Sequence, residues 1–109
     1  MVTAAATTFA VIRSRGPAWN ADLPMREQPA WDAHAAFMNG LAADGHIVLG
    51  GPLGDGERTL LIIEAASQGA VQRLLDPDPW TGMNLLKIDS ITPWQILLAR
   101  LDGRRQRSA

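Results

Sequence analysis

The chain has 109 residues, of which 47% are hydrophobic, and a formal net charge of −1. This length suits one domain with a single modest core, and the near-neutral charge does not favour nucleic-acid binding. The absence of cysteine excludes disulfides and thiolate metal sites. The sequence has no stretch of about 20 apolar residues that would span a membrane, and no secretory signal. We therefore expect one cytoplasmic domain over residues 1–109 that does not contact membranes.

The first part of the chain predicts a strand followed by a long loop. Thr7–Arg13 is rich in β-branched and aromatic residues, which is typical of a strand. Residues 14–29 contain three prolines and show no period, so they predict a loop. Loops of this length often have a function, and Trp19 and Met25 offer apolar surface that can pack. We expect the loop to cover a pocket and to contribute Trp19 or Arg26.

A first helix is predicted to begin at Gln28 or Pro29 and to end at Gly45. At about 100° per residue, its apolar side chains share one sector: Trp31, Ala35, Met38, Leu41 and Ala42. His34 falls inside this sector, where simple patterning predicts an apolar residue. The position of His34 makes it the first candidate for a functional residue.

The second half of the chain predicts three more strands and a second helix. The expected elements are a strand over Ile47–Leu49, a turn over Gly50–Gly56, a strand over Arg58–Glu64, a helix capped by Ser67 that ends before Pro77, a rigid corner over Asp76–Trp80, a helical turn over 81–84, and a strand over Leu85–Leu98 that is broken or bulged near Pro93. Residues 100–109 form a basic tail without interleaved aromatics, and we expect it to be a solvated terminus.

The element order β-α-β-β-α-β predicts a ferredoxin-like α+β fold. Such a fold has a four-stranded antiparallel sheet with both helices on one face, which leaves the other face uncovered. Consecutive residues of the third strand, such as Leu60 and Leu61, are apolar, so both faces of the sheet need a cover. A second copy of the chain is the simplest cover, and we expect a homodimer joined through the sheet faces.

An ordered set of short motifs resembles the YCII-related (YciI-like) family of the dimeric α/β-barrel superfamily. The motifs are His34 followed by Phe37, Leu41 and Gly45, then Leu49-Gly-Gly-Pro-Leu53, Asp78-Pro79-Trp80 with Gly82, and Pro93-Trp94. The resemblance implies the ferredoxin-like fold, sheet-to-sheet dimerisation, and a catalytic histidine and aspartate that match His34 and Asp78. It also implies acid/base chemistry, such as elimination from small ring compounds.

Each member of this pair has a simpler interpretation. His34 can be a core histidine bound to a backbone carbonyl, and Asp78 can be a turn-forming aspartate. Asp76 lies in the same corner and competes as the partner of His34. If a carboxylate does meet the ring, it fixes one tautomer and raises the basicity of the other nitrogen.

The aromatic residues suggest a substrate pocket around the pair. The predicted pocket residues are Trp19, Arg26, Trp31, Met38 and Trp80. Arg26 would meet an anionic group of the substrate, and the alternative is that it is solvated. The alternative is that the tryptophans serve the core and the dimer contact. His34 and His46 are not at ligand spacing on one element, so no metal site is predicted.

We therefore expect a cofactor-free acid/base enzyme that acts on a small apolar or ring-containing molecule through a His–Asp dyad. The alternative is a non-catalytic ligand-binding or interaction module on the same dimeric fold. A cofactor-independent oxygenase is a third possibility, supported only by the shared fold.

Overall fold

The computed structural model, which describes residues 6–100, confirms the ferredoxin-like α+β fold predicted from the element order. Its elements are β1 (Thr7–Arg15), a 3₁₀ turn (Met25–Glu27), α1 (Trp31–Ala43), β2 (Ile47–Leu53), β3 (Arg58–Ala65), α2 (Gln68–Leu75), α3 (Pro79–Gly82) and β4 (Leu86–Pro93). The four strands form one antiparallel sheet in the order β2-β3-β1-β4.

The hydrophobic core lies between one face of this sheet and the helices. Alternate residues of β1 and β3 point into it, as the two-residue period of a strand requires, and α1 and α2 cover them. The buried members of the core are Phe9, Val11, Leu41, Leu61, Ile63, Ala65, Val71 and Leu75. Arg13 follows Phe9 and Val11 on the same face of β1 and is also buried. A charged side chain therefore enters the protein interior at the end of the core.

Helix α1 begins two residues later than the last predicted start. Pro29 disfavours the helical conformation for the residue before it, and Gln28 is extended, with φ −65° and ψ 151°. Ala30 is left-handed, with φ 58°, and its carbonyl accepts the first helical hydrogen bond from His34 N at 3.0 Å. The predicted cap of α2 is confirmed, since the Ser67 side chain accepts from Ala70 N at 3.1 Å.

The predicted turn over Gly50–Gly56 is wrong in its first half, because β2 continues to Leu53. Glycine fits at position 50 of this strand because it has no Cβ. A Cβ there would lie only 2.8 Å from the Leu61 side chain, which is too close. Pro52 is tolerated because β2 is an edge strand, where a missing N–H breaks no ladder. The reversal occurs over residues 54–57, where Gly54 and Gly56 have positive φ.

The boundaries of the outer strands also differ from the prediction. β1 extends to Arg15, so the long loop covers residues 16–30 and contains the 3₁₀ turn. β4 ends at Pro93, and the register shift in its pairing lies opposite Ile12 and Arg13, not near Pro93. One further backbone bond, from Trp94 N to Thr8 O at 2.8 Å, follows the last paired residue of β4. The predicted basic tail, apart from Arg100, lies outside the described residues. None of the described helices is long and apolar enough to cross a membrane.

Candidate active site

Asp78 is held in place by the connection between α2 and α3. Its backbone N donates to Leu75 O at 3.1 Å, and its side chain caps α3 by accepting from Trp80 N at 3.0 Å. Pro79 follows at the first helical position, where its fixed φ suits a helix and its missing N–H costs nothing. The turn-forming role considered for Asp78 is therefore present. It coexists with a second role, because the carboxylate is buried with 1% of its surface exposed.

Three donors converge on the two oxygens of Asp78. His34 Nδ1 lies 2.9 Å from each oxygen, Arg13 Nη2 lies 2.8 Å from Oδ2, and Trp80 N reaches Oδ1. The three donors together use most of the acceptor capacity of an ionised carboxylate. Asp76 is exposed and caps the end of α2 through its backbone. The structure thus brings His34 to Asp78, whereas Asp76 remains at the surface.

Arg13, the third member of this cluster, is not predicted from the sequence. It is 1% exposed, and Nη2 also lies 3.3 Å from Thr81 Oγ1. The pattern contained a signal for it, since Phe9, Val11 and Arg13 alternate along one strand face. The predicted strand ends at Arg13, which makes Arg13 a boundary residue with no expected role in the interior. Its Nε is buried and has no hydrogen-bond partner.

The pKa of Asp78 reflects a competition between burial and its donors. Burial raises the pKa, but hydrogen bonds from His34, Arg13 and the backbone of Trp80 lower it, and the net result is a pKa below its usual 3.8. Asp78 is therefore ionised at neutral pH and acts only as an acceptor. Because a carboxylate cannot donate, Nδ1 of His34 must carry the hydrogen of their bond. In the neutral ring, Nε2 then holds the lone pair.

Tryptophan side chains enclose the His34 ring. Trp80 stacks on it with ring centroids 3.8 Å apart and an angle of 6° between the planes. Trp19 meets Trp80 edge-on at 5.5 Å, and Trp31 lies 5.8 Å from both His34 and Trp80. The Trp80 indole N–H donates to Pro29 O at 2.6 Å, which anchors the long loop to α3. These contacts fix the plane of the imidazole ring.

The long loop is held against the site by a buried amide. Gln28 donates to the carbonyl oxygens of Asn20 and Leu23, at 2.7 and 2.9 Å, and accepts from Asn20 N at 3.0 Å. The Gln28 side chain thus supplies hydrogen bonds to backbone groups of the loop that have no partner in a helix or sheet. Gly16 N and Ala18 N bind the chain beside β4, at Leu85 O and Asn84 O. The loop is therefore a fixed wall that carries Trp19.

A cavity of about 620 Å³ lies between α1, β2 and this loop. Among the predicted pocket residues, Trp19, Trp31, Met38 and Trp80 line it, and His34 lines it as well. Arg26 does not: it is exposed, and its guanidinium lies 5.7 Å from the centre of the Trp31 ring. Its place is taken by Arg15, which the sequence analysis assigned to the loop. Within residues 6–100, no three His, Asp or Glu side chains cluster as metal ligands would.

The fold and the site together define a ferredoxin-like domain with a histidine–carboxylate pair at an apolar cavity. The model of the YCII-related domain matches residues 7–95, and the chain belongs to this family. The solved structure of the 5-chloro-2-hydroxyhydroquinone dehydrochlorinase TftG from Burkholderia phenoliruptrix AC1100, in complex with 2,5-dihydroxybenzoquinone, is similar to it. The two share 28% sequence identity with a TM-score of 0.61, over 81% of this chain and 93% of that chain. No curated protein matches the chain.

Proposed function

We propose that the protein is a cofactor-free acid/base enzyme that removes a leaving group from a small hydroxylated ring compound. His34 is the general acid and base, and Asp78 orients it. The observation that carries this proposal is the contact of 2.9 Å between His34 Nδ1 and the buried carboxylate. That contact leaves Nε2 as the proton acceptor of a residue that lines the cavity. General acid/base catalysis by a positioned histidine accelerates reactions by roughly 10²–10⁴-fold.

The similarity to a dehydrochlorinase supports elimination as the reaction class. With 5-chloro-2-hydroxyhydroquinone, a hydroxyl proton first moves to the ring carbon that bears chlorine, which gives a keto tautomer. A second hydroxyl then loses its proton to Nε2, and its bonding pair forms a new C=O. The ring double bond shifts, and chloride leaves with its bonding pair. The products are a hydroxyquinone, a proton and chloride, so the reaction needs no oxidant.

The remaining site residues serve binding and orientation. The indole rings of Trp19, Trp31 and Trp80 give the cavity flat apolar walls, which suit a planar ring. Arg13 fixes the carboxylate, and Trp80 restrains the imidazole plane through its stack. Holding the catalytic group in one geometry removes an entropic part of the barrier.

The experiment measures chloride release and quinone absorbance from 5-chloro-2-hydroxyhydroquinone under anaerobic conditions. We expect the wild type to release chloride, and His34→Asn to reduce turnover by about 100-fold or more while the protein stays folded. His46→Asn is the matched control, because His46 is the other histidine of the chain and does not line this cavity. No chloride release by the wild type, or full activity of His34→Asn, contradicts the proposal. Binding of 2,5-dihydroxybenzoquinone without turnover would favour the non-catalytic ligand-binding module.

The proposal includes a homodimer joined through the outer faces of the sheets. The face of the sheet opposite the helices carries two cross-strand apolar pairs, in which Ala10 is opposite Ile62 and Ile12 is opposite Leu60. An apolar patch on a sheet face is a typical interaction surface. The cytoplasmic location stays a prediction of the sequence.

A further inference from the structure

The cavity contains an arginine that the proposed acid/base chemistry does not use. Arg15 lies two residues after Arg13 on β1, so both side chains point to the same face of the sheet. Arg13 is paired with Asp78 at 2.8 Å. Arg15 lines the cavity, and within residues 6–100 no carboxylate lies at salt-bridge distance from it. Arg15 therefore makes no ion pair with the described part of the chain.

The surroundings of Arg15 hold its guanidinium in a defined position. The guanidinium carbon lies 4.8 Å from the centre of the Trp19 ring, a cation–π contact. Gly56 lies next to the guanidinium, since a Cβ built on Gly56 would be 3.6 Å from Arg15 Nη2. The backbone N of Arg15 donates to Glu57 O at 3.3 Å. The side chain is thus packed between the long loop and the β2–β3 turn. A packed guanidinium loses little entropy when it binds a ligand oxygen.

A buried donor of Arg15 also lacks a partner. Nε is buried and makes no hydrogen bond, and an unmatched buried donor is unfavourable. Asp55 also lines the cavity, but it is exposed and its Oδ1 accepts from Glu57 N at 3.0 Å. Asp78 does not line the cavity and is already bonded to Arg13 and His34. An oxyanion from a ligand would match the positive charge of Arg15.

We propose that Arg15 is the anion-binding residue of the cavity, and that the ligand is a planar ring bearing a carboxylate or an ionised enol oxygen. Arg13 and Arg15 lie roughly 7 Å apart along β1, about the width of a substituted six-membered ring. Trp19 touches Arg15, Trp80 touches Trp19, and His34 stacks on Trp80. His34 and Arg15 thus lie at the two ends of one row of contacts, and both line the cavity. This assignment names the substrate class of the proposed enzyme and in that respect rests on the proposed function.

The test compares two ligands that differ in charge but hardly in shape. The probes are 2,5-dihydroxybenzoate and the neutral 2,5-dihydroxybenzamide, and their dissociation constants are measured by isothermal titration calorimetry at pH 7. We expect the wild type to bind the carboxylate roughly 10- to 100-fold more tightly than the amide, because bonds between charged groups are the stronger ones. Arg15→Gln should remove this preference, and Arg15→Lys should keep part of it.

Two control variants make the result specific to Arg15. Arg73→Gln removes an exposed arginine of α2 that is outside the cavity, and it should keep the preference for the carboxylate. Arg26→Gln should also keep it, although the sequence alone pointed to Arg26 as the anion-binding residue. Circular dichroism of each variant checks the fold. The proposal is overturned if the wild type binds neither probe or binds both equally. It is also overturned if Arg26→Gln, and not Arg15→Gln, removes the preference.

These measurements separate the anion site from the proposed reaction. An Arg15-dependent preference for the carboxylate in a protein that releases no chloride supports the anion site and contradicts the elimination. Chloride release that depends on His34, with a KM unchanged in Arg15→Gln, supports the elimination and contradicts the anion site.

Discussion

Replacement of Asp78 by asparagine tests the physical basis of the buried cluster. Asparagine keeps the size of aspartate but replaces one oxygen by an amide nitrogen. If that nitrogen replaces Oδ2, it faces Arg13 Nη2; if it replaces Oδ1, it faces Trp80 N. In either orientation the new amide N–H group faces another donor. The Arg13 cation, which is 1% exposed, is left without a counter-charge. Removing one partner of a buried ion pair costs about 3–5 kcal/mol.

Urea unfolding followed by tryptophan fluorescence measures this loss. With an m-value of about 2 kcal/mol per molar urea, the midpoint should fall by roughly 1.5–2.5 M. Protein concentration is held fixed, since dimerisation would otherwise change the apparent stability. Asp76→Asn is the matched control at an exposed position two residues earlier, and it should leave the midpoint close to that of the wild type. Asp78→Asn combined with Arg13→Met removes both charges and should recover part of the loss.

The effect of Asp78→Asn should depend on pH with a definite sign. The folded pKa of Asp78 is lowered below 3.8, so its unfolded form binds a proton at a higher pH than its folded form. The stabilisation by the carboxylate is complete above about pH 4 and is lost as pH falls through the folded pKa. The stability difference between wild type and Asp78→Asn should therefore narrow in acid. A loss below about 1 kcal/mol at pH 7 that stays constant down to pH 3 would refute the reasoning.

The remaining predictions concern the long loop, helix α1 and the dimer. Gly16→Ala places a Cβ 2.2 Å from Asn84 O, so it should lower the free energy of unfolding by about 1–3 kcal/mol. In contrast, Gly40→Ala in α1, where the Cβ meets open space, should raise it by up to about 1 kcal/mol in the same denaturation assay. Analytical ultracentrifugation should show a dimer at micromolar concentration, and Leu60→Asp on the outer sheet face should give monomers. A monomeric wild type contradicts the proposed dimer.

Local signals in the sequence were sufficient for the element order, whereas the pairing of His34 with Asp78 was expected from the family resemblance. Ser67 is a good helix cap, Pro77 and Pro79 restrict the corner around Asp78, and the order of elements determines which ends of the helices meet. Strand ends were harder to predict because they depend on the neighbouring strand. Gly50 and Pro52 favour a turn locally, but pairing with β3 keeps them extended.

The arginines of the site show a different limit of sequence analysis. Arg13 and Arg15 occupy alternate positions at the end of β1, where exposed charges are common, and their sequence neighbours do not distinguish a buried arginine from a solvated one. The distinction comes from Asp78, which is 65 residues further along the chain. Conversely, the loop position of Arg26 favoured a pocket contact that the fold does not make.

The contacts of the site join parts of the chain that are far apart. Arg13 and Asp78 are separated by 65 residues, the indole of Trp80 and the carbonyl of Pro29 by 51, and His34 and Asp78 by 44. Contacts of such long range form only after large chain loops have closed, which slows folding. The site therefore cannot exist in a partly folded chain. A ligand held there stabilises the entire native state, in proportion to the logarithm of its concentration.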